Sequence, residues 1–110
     1  MTEAQITSKF LKQIRQAFPA AFVYKINERI RAGIPDALIV LRGHVVFVEF
    51  KGPKTPVTEL QRLTHDRLTA AGATVLLVRF TGAGTAHELT VVSEHNAFAY
   101  ESLLAYLEAL

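Results

Sequence analysis

Ile6, Phe10, Leu11, Ile14, Ala17 and Phe18 recur at the three- and four-residue spacing of one helical face, and Pro19 cannot continue the run. The spacing predicts a first helix over residues 2–17, whose other face carries Lys9, Lys12, Gln13 and Gln16. Phe22, Tyr24 and Ile26 alternate with Val23 and Lys25, which is the period of a short strand. Residues 28–33 are polar and basic and read as a loop. Two apolar, β-rich runs follow, residues 36–41 and 45–50, joined by Arg42-Gly43-His44, a tight hairpin signal. Leu38, Val40, Val45 and Phe47 lie on one side of these runs, and Ala37, Ile39, Leu41, Val46 and Val48 on the other. Both sides are apolar, so the pair is predicted to be central in a sheet and covered twice.

After Gly52-Pro53-Lys54-Thr55-Pro56, residues 57–71 predict a second helix with Leu60, Leu63, Leu68 and Ala71 as its inner stripe and Gly72 marking its end. Residues 73–80 predict a strand, which the intervening helix makes parallel to residues 45–50. A turn at residues 82–85, an edge strand at 88–92 and a closing helix over 98–110, with Leu103, Leu104, Leu107 and Leu110 inward, complete the chain. The order is helix, three antiparallel strands, helix, parallel strand and a small appendage: an α/β sandwich with a mixed sheet.

The chain has 110 residues, enough for a single domain over residues 1–110 that buries about two thirds of its surface. Half of the residues are hydrophobic and ten are aromatic, which excludes a disordered or low-complexity chain. With no cysteine there can be no disulfide framework, thiolate zinc site or cysteine nucleophile. The opening Met1-Thr2-Glu3-Ala4-Gln5 lacks a signal-peptide pattern, and the longest apolar run, residues 37–41, falls far short of the roughly 18 residues of a membrane span. A cytoplasmic protein without a membrane partner is expected. Residues 1–67 hold eleven of the twelve Lys and Arg against six of the ten acids, whereas residues 68–110 hold one against four. A basic half on a nearly balanced chain suits a polyanion, because Lys and Arg neutralising phosphates carry non-specific attraction to nucleic acid.

Charged groups are costly in strands buried on both faces, yet Asp36 opens one such run while Glu49 and Lys51 close the next. With Arg42-Gly43 as a two-residue turn, Leu41 faces His44 and Asp36 lies opposite Glu49, with Cβ atoms about 4.5 to 5.5 Å apart. With Gly43-His44 as the turn, Asp36 faces Lys51 instead. Either register gathers all three groups on one face; only a three-residue loop would separate Asp36 from the others. Two carboxyls that close repel each other unless a cation lies between them. A hard divalent ion, Mg²⁺ or Mn²⁺, is the natural remedy, with Asp36, Glu49 and the backbone carbonyl of Phe50 as oxygen ligands and Lys51 beside it to offset charge on a phosphate. The plainer reading of the same residues is a salt-bridge cluster at a strand end.

Gly33-Ile34-Pro35-Asp36, a spacer of twelve residues, and Glu49-Phe50-Lys51 resemble the PD-(D/E)XK nuclease signature, and the details are similar to its VRR-NUC (virus-type replication-repair nuclease) branch. Thr2-Glu3-Ala4-Gln5, Gly33, Gln61 and the following Leu68 and Gly72 match that branch as well, so the likeness covers most of the chain. The resemblance implies a restriction-endonuclease-like core, αβββαβ with a mixed sheet flanked by helices, plus a C-terminal helix. It implies an Mg²⁺- or Mn²⁺-dependent DNA endonuclease of replication, repair or recombination that uses a metal-activated water. Asp36 and Glu49 would be metal ligands, Lys51 the catalytic lysine, Glu3 an aid to the metal site directly or through water, and Gln61 a support for the site or a phosphate. Glu3 also suits the helix macrodipole, Thr2 with Gln5 fits a capping box, and Gln61 stands three after Thr58, where it can close a cap.

Lys9, Lys12, Lys25, Arg29, Arg31, Lys54 and Arg62 are candidates to track phosphates. His44, His65, His87 and His95 have no metal-pair spacing and read as surface or turn histidines; His65 lies one helical turn after Gln61. No P-loop is present. The expected substrate is DNA, branched or otherwise structured, read through shape and backbone. A homodimer is expected, so that two sites can handle both strands, and Tyr100, Leu103, Tyr106 and Leu110 of the closing helix could supply its interface or merely cap the core. A non-cleaving nucleic-acid-binding module of a repair complex and a metal-dependent ribonuclease are the alternatives.

Overall fold

The computed structural model describes residues 3–26, 33–51, 55–81, 88–93 and 97–110, with side chains for residues 4–5, 7–26, 33–51, 55–78 and 104–110. Its elements run α1 (Glu3–Ala17), β1 (Phe22–Lys25), β2 (Ala37–Leu41), β3 (His44–Lys51), α2 (Glu59–Ala70), β4 (Thr74–Thr81), β5 (Glu88–Ser93), β6 (Ala97–Ala99) and α3 (Tyr100–Glu108). The strands form one six-stranded sheet in the order β1-β2-β3-β4-β5-β6. Among the described residues only β3 and β4 pair in parallel, and α2 lies between them in the chain. The mixed sheet and the αβββαβ order read from the sequence are both present.

The hairpin between β2 and β3 fixes the register that the site depends on. Leu41 pairs with His44 and Ala37 with Val48, so the turn is the two residues Arg42-Gly43. Both have positive φ, 52° at Arg42 and 81° at Gly43, as a type I′ turn requires. The strained Arg42 has a second use, because its guanidinium donates to the carbonyls of Glu108 at 2.6 Å and Leu110 at 3.0 Å. Glu108 ends α3, whose last carbonyls the helix leaves without partners, and Leu110 lies two residues beyond it.

One face of the sheet builds the core. Phe10, Leu11 and Ile14 of α1 and Leu107 of α3 pack on Ala37, Ile39, Leu41, Val46, Val48, Phe50, Leu76 and Val78. The other face is covered less completely than the apolar pattern predicts. Leu38, Val40 and Phe47 are half-buried, Val45 is exposed, and Phe22 and Tyr24 on the edge strand β1 are exposed and stacked on each other, ring centroids 6.2 Å apart. The expectation of two fully covered faces is corrected accordingly: the short α2 packs on the β4 side of this face.

The inner stripe of α2 also differs. Leu60 and Leu63 are 50% and 54% exposed and Ala71 is exposed, while Gln61, Thr64, His65 and Leu68 turn inward. Those four follow the spacing of one helical face just as well, and a partly polar stripe is tolerated because it lies over the polar end of the sheet. At the C-terminal end, β5 is no edge strand, since β6 pairs with it. Residues 98 and 99 extend as strand, and the closing helix begins only at Tyr100. Leu107 is buried, Leu104, Tyr106 and Leu110 pack against the core, and the side chain of Leu103 lies outside the described set. Among the described residues no helix is long and apolar enough to cross a membrane.

Candidate active site

Asp36 stands immediately before β2, behind the buried Pro35. Its backbone carbonyl accepts from the Ile26 amide at 2.7 Å, which ties it to the end of β1. Its Oδ2 accepts from the Phe50 amide at 2.8 Å, which ties it to β3. Extending the observed β2–β3 register by one residue puts Asp36 opposite Glu49, on the face shared with Lys51. The extended register sets the two carboxyls side by side, and Glu49 is among the groups that influence Asp36. Glu49 is 2% exposed and Lys51 7%, and Lys51 Nζ lies 3.7 Å from Glu49 Oε1.

Burial pushes the Asp36 carboxyl above its ordinary value of 3.8. The Phe50 amide, the Lys51 and Lys25 ammonium groups and the contact with Glu49 all pull the other way without cancelling it. Paired carboxyls, one of them reluctant to ionise, are a chemical fit for a hard cation, which would take the place of the proton between them. Among the described residues no group of three His, Asp or Glu side chains could hold a metal, so the oxygens on hand are two carboxyls and neighbouring backbone. Glu3 begins α1, and its side chain lies outside the described set. The same helix end reaches the site, because Ala4, Thr7, Lys25 and Asp36 line a cleft of about 300 Å³.

Gln61 serves two structures at once. Its Oε1 accepts from the Thr58 amide at 3.0 Å while its own amide donates to Thr58 Oγ1 at 3.1 Å, a complete capping box at the start of α2. Its Nε2 donates to Glu49 Oε1 at 3.1 Å. The cap and the site are therefore joint roles of one side chain. Gly33 explains how α2 comes so near: a Cβ there would meet Thr64 Oγ1 at 2.7 Å and the Leu60 carbonyl at 2.8 Å, and its φ of 95° disfavours any other residue.

Of the proposed phosphate-tracking residues, Lys25 is beside Asp36. Lys9, Lys12 and Arg62 are exposed, and Arg29, Arg31 and Lys54 lie outside the described residues, as do Thr2, His87 and His95. His44 is exposed as expected. His65 is not a surface residue: it is 6% exposed, under α2 on the Gln61 side. Its position four after Gln61 was the available signal, hidden because the neighbouring leucines made a more obvious stripe.

An αβββαβ core with a mixed sheet, carrying two carboxyls and an ammonium at one end of its central strands, is the architecture of the restriction-endonuclease-like nucleases. No family model matches the chain. A protein of Acyrthosiphon pisum secondary endosymbiont phage 1, described as "Putative nuclease p44", is 32% identical over 77 residues, 69% of this chain and 81% of that protein. A solved structure described as a VRR_NUC domain superposes with a TM-score of 0.58 at 32% identity, over 70% of this chain and 84% of its own. The chain belongs to the VRR-NUC family and is a nucleolytic hydrolase by kinship. The fold is also that of Archaeoglobus fulgidus Hjc, a Holliday junction resolvase, with a TM-score of 0.59 at 12% identity over 94% of this chain and 92% of that one.

Proposed function

We propose that residues 1–110 form one nuclease domain that hydrolyses phosphodiester bonds in branched or structured DNA with Mg²⁺ or Mn²⁺. The observation that carries this reading is the pairing of the Asp36 and Glu49 carboxyls beside the Lys51 ammonium, 3.7 Å from Glu49. Asp36, Glu49 and the Phe50 carbonyl would hold the ion, with Glu3 assisting directly or through water. When bound, the ion supplies Lewis acidity and a more acidic water. Lys51 offsets the negative charge that grows on the phosphate, and its fixed place in a buried site makes that charge count for more than it would in water. Gln61 holds Glu49 in orientation. Lys25 and the cationic residues Lys9, Lys12, Arg29, Arg31, Lys54 and Arg62 position the backbone of the substrate.

DNA is preferred to RNA in this reading because the fold is shared with Hjc, a Holliday junction resolvase, and a role in replication, repair or recombination goes with a branched substrate. A homodimer would let two sites address two strands; sedimentation at micromolar concentration tests it, and a monomer that still cuts both strands would remove the reason for it. The primary experiment compares cleavage of plasmid, flap and four-way junction by wild type, Asp36→Asn and Lys51→Ala with each metal. Cleavage by wild type alone is expected, and equal cleavage by either variant would overturn the assignment. Junction binding without cutting under any metal would instead support a binding module, and preferential loss of RNA a ribonuclease.

A further inference from the structure

Phe22 and Tyr24 have no part in the scheme above, and folding does not account for two large rings left in water. They are 57% and 55% exposed, while Val23 between them packs against the core. The rings stand two residues apart on β1, lie within 11° of parallel and have centroids 6.2 Å apart. Strand alternation puts them on the sheet face shared by Leu38 and Asp36. One residue beyond the observed pairs, Ile26 stands opposite Asp36, to whose carbonyl its amide donates. At about 3.3 Å per residue, Tyr24 is roughly 7 Å and Phe22 roughly 13 Å along β1 from that point.

The outer edge of the same strand is basic. Ile26 and Asp36 are a hydrogen-bonded pair, so alternation turns the Val23 carbonyl away from β2, and there the exposed Arg15 of α1 donates to it at 3.3 Å. Lys25, directly after Tyr24, lines the same cleft as Asp36. A second copy adding its own strand to β1 would have to displace Arg15 from a carbonyl that the new strand needs. At these exposures the two rings offer roughly 200 Å² between them, against the ~800 Å² per partner of a stable dimer. Unpaired nucleotides suit both features, because their phosphates match the cations along the edge and every base has a flat π face to lay on a ring. Bases inside a duplex already stack on one another and have no such face to give.

We propose that Phe22 and Tyr24 form a stacking platform for unpaired nucleobases of a DNA strand whose backbone follows Arg15 and Lys25 towards Asp36 and Glu49. The strand's destination rests on the nuclease reading, and the platform narrows its substrate to branches with single-stranded nucleotides close to the phosphate that is cut. Stacking takes any base, so the preference is for unpaired structure and not for sequence.

Binding to the metal-free full chain at low salt tests this, by fluorescence anisotropy of an oligothymidine strand, an abasic strand of the same length and a duplex. Replacing both rings by leucine, Phe22→Leu with Tyr24→Leu, should weaken oligothymidine binding about 30-fold and either change alone about fivefold, with the abasic strand and the duplex held within about twofold. Wild type and Tyr24→Phe should both quench a strand carrying the fluorescent base 2-aminopurine, and the double variant should not. Undiminished oligothymidine binding, or an equal loss on the abasic strand, overturns the proposal. So does a wild-type dimer in sedimentation that the double variant splits, because the face would then belong to a second copy. In cleavage of a flap, the double variant should raise KM about 10-fold with kcat unchanged, the mark of lost uniform binding. A wild type that binds as expected but never cuts removes the nuclease reading and leaves the platform standing; a wild type that cuts, with variants that bind single strands equally well, removes the platform alone. Should the double variant fail to fold, the single replacements decide the matter.

Discussion

Asp36→Asn removes a buried charge while leaving its principal hydrogen bond intact. The asparagine carbonyl can still accept from the Phe50 amide that now donates at 2.8 Å. What disappears is the burial of an ionised carboxyl, together with its attraction to Lys51 and Lys25, and burial is the larger of these because the carboxyl titrates above 3.8 in spite of both lysines. At neutral pH without metal the variant should therefore be more stable than wild type, by at most about 1 kcal/mol because solvent screens the partly exposed carboxyl, or up to about 5 °C in Tm for a chain of this size. The sign follows from linkage: a carboxyl whose folded pKa is raised stabilises the fold only while protonated, and that contribution is lost as pH rises through the folded value. The advantage of asparagine should accordingly shrink as pH falls from the raised value towards 3.8. Mg²⁺ should reverse the order, since an ion bound only by the folded wild type at a hundred times its Kd adds about 2.7 kcal/mol. Thermal melts at several pH values, with and without Mg²⁺, test all of this. A metal-free variant that melts below wild type at neutral pH, or an advantage that persists undiminished in acid, would refute the reasoning.

Gly33→Ala should cost about 2–4 kcal/mol, since it combines a left-handed backbone with a Cβ driven into the Leu60 carbonyl, whereas Gly43→Ala, with open space around it, should cost only about 1 kcal/mol; denaturant titration compares the two. Thr58→Ala removes half of the capping box and should destabilise by about 1 kcal/mol with cleavage preserved, while Gln61→Leu should lower both stability and kcat, as melts and single-turnover assays would reveal. Leu63→Ala should cost under about 1 kcal/mol in chemical denaturation, not the 2–5 kcal/mol of a core leucine, because the side chain is 54% exposed.

Much of the site was legible because strand geometry is strict. Once Arg42-Gly43 is taken as the turn, pairing follows residue by residue from Leu41 and His44 to the carboxyls, and the resulting register is the one observed. The capping role of Gln61 was legible from its distance to Thr58, a local rule with a local partner. The face of α2 was not, because hydrophobic periodicity assumes that the inner stripe is apolar, and here Gln61 and His65 displace Leu60 and Leu63 towards solvent. The C-terminal boundary failed for a related reason: Phe98 and Ala99 fit a helical pattern, and only pairing with β5 makes them strand. Neither the grip of Arg42 on the end of α3 nor the closeness of Gly33 to α2 leaves a trace in spacing, since both join segments distant along the chain.

The double grip of Gln61 makes the first turn of α2 and the carboxyl of Glu49 a single mechanical unit. A fluctuation that frays this helix end slackens Glu49 in the same motion, so under the proposed function no competent centre forms beneath a melted α2. Readiness for chemistry is in this way conditional on completed folding, and a chain still assembling has no working blade.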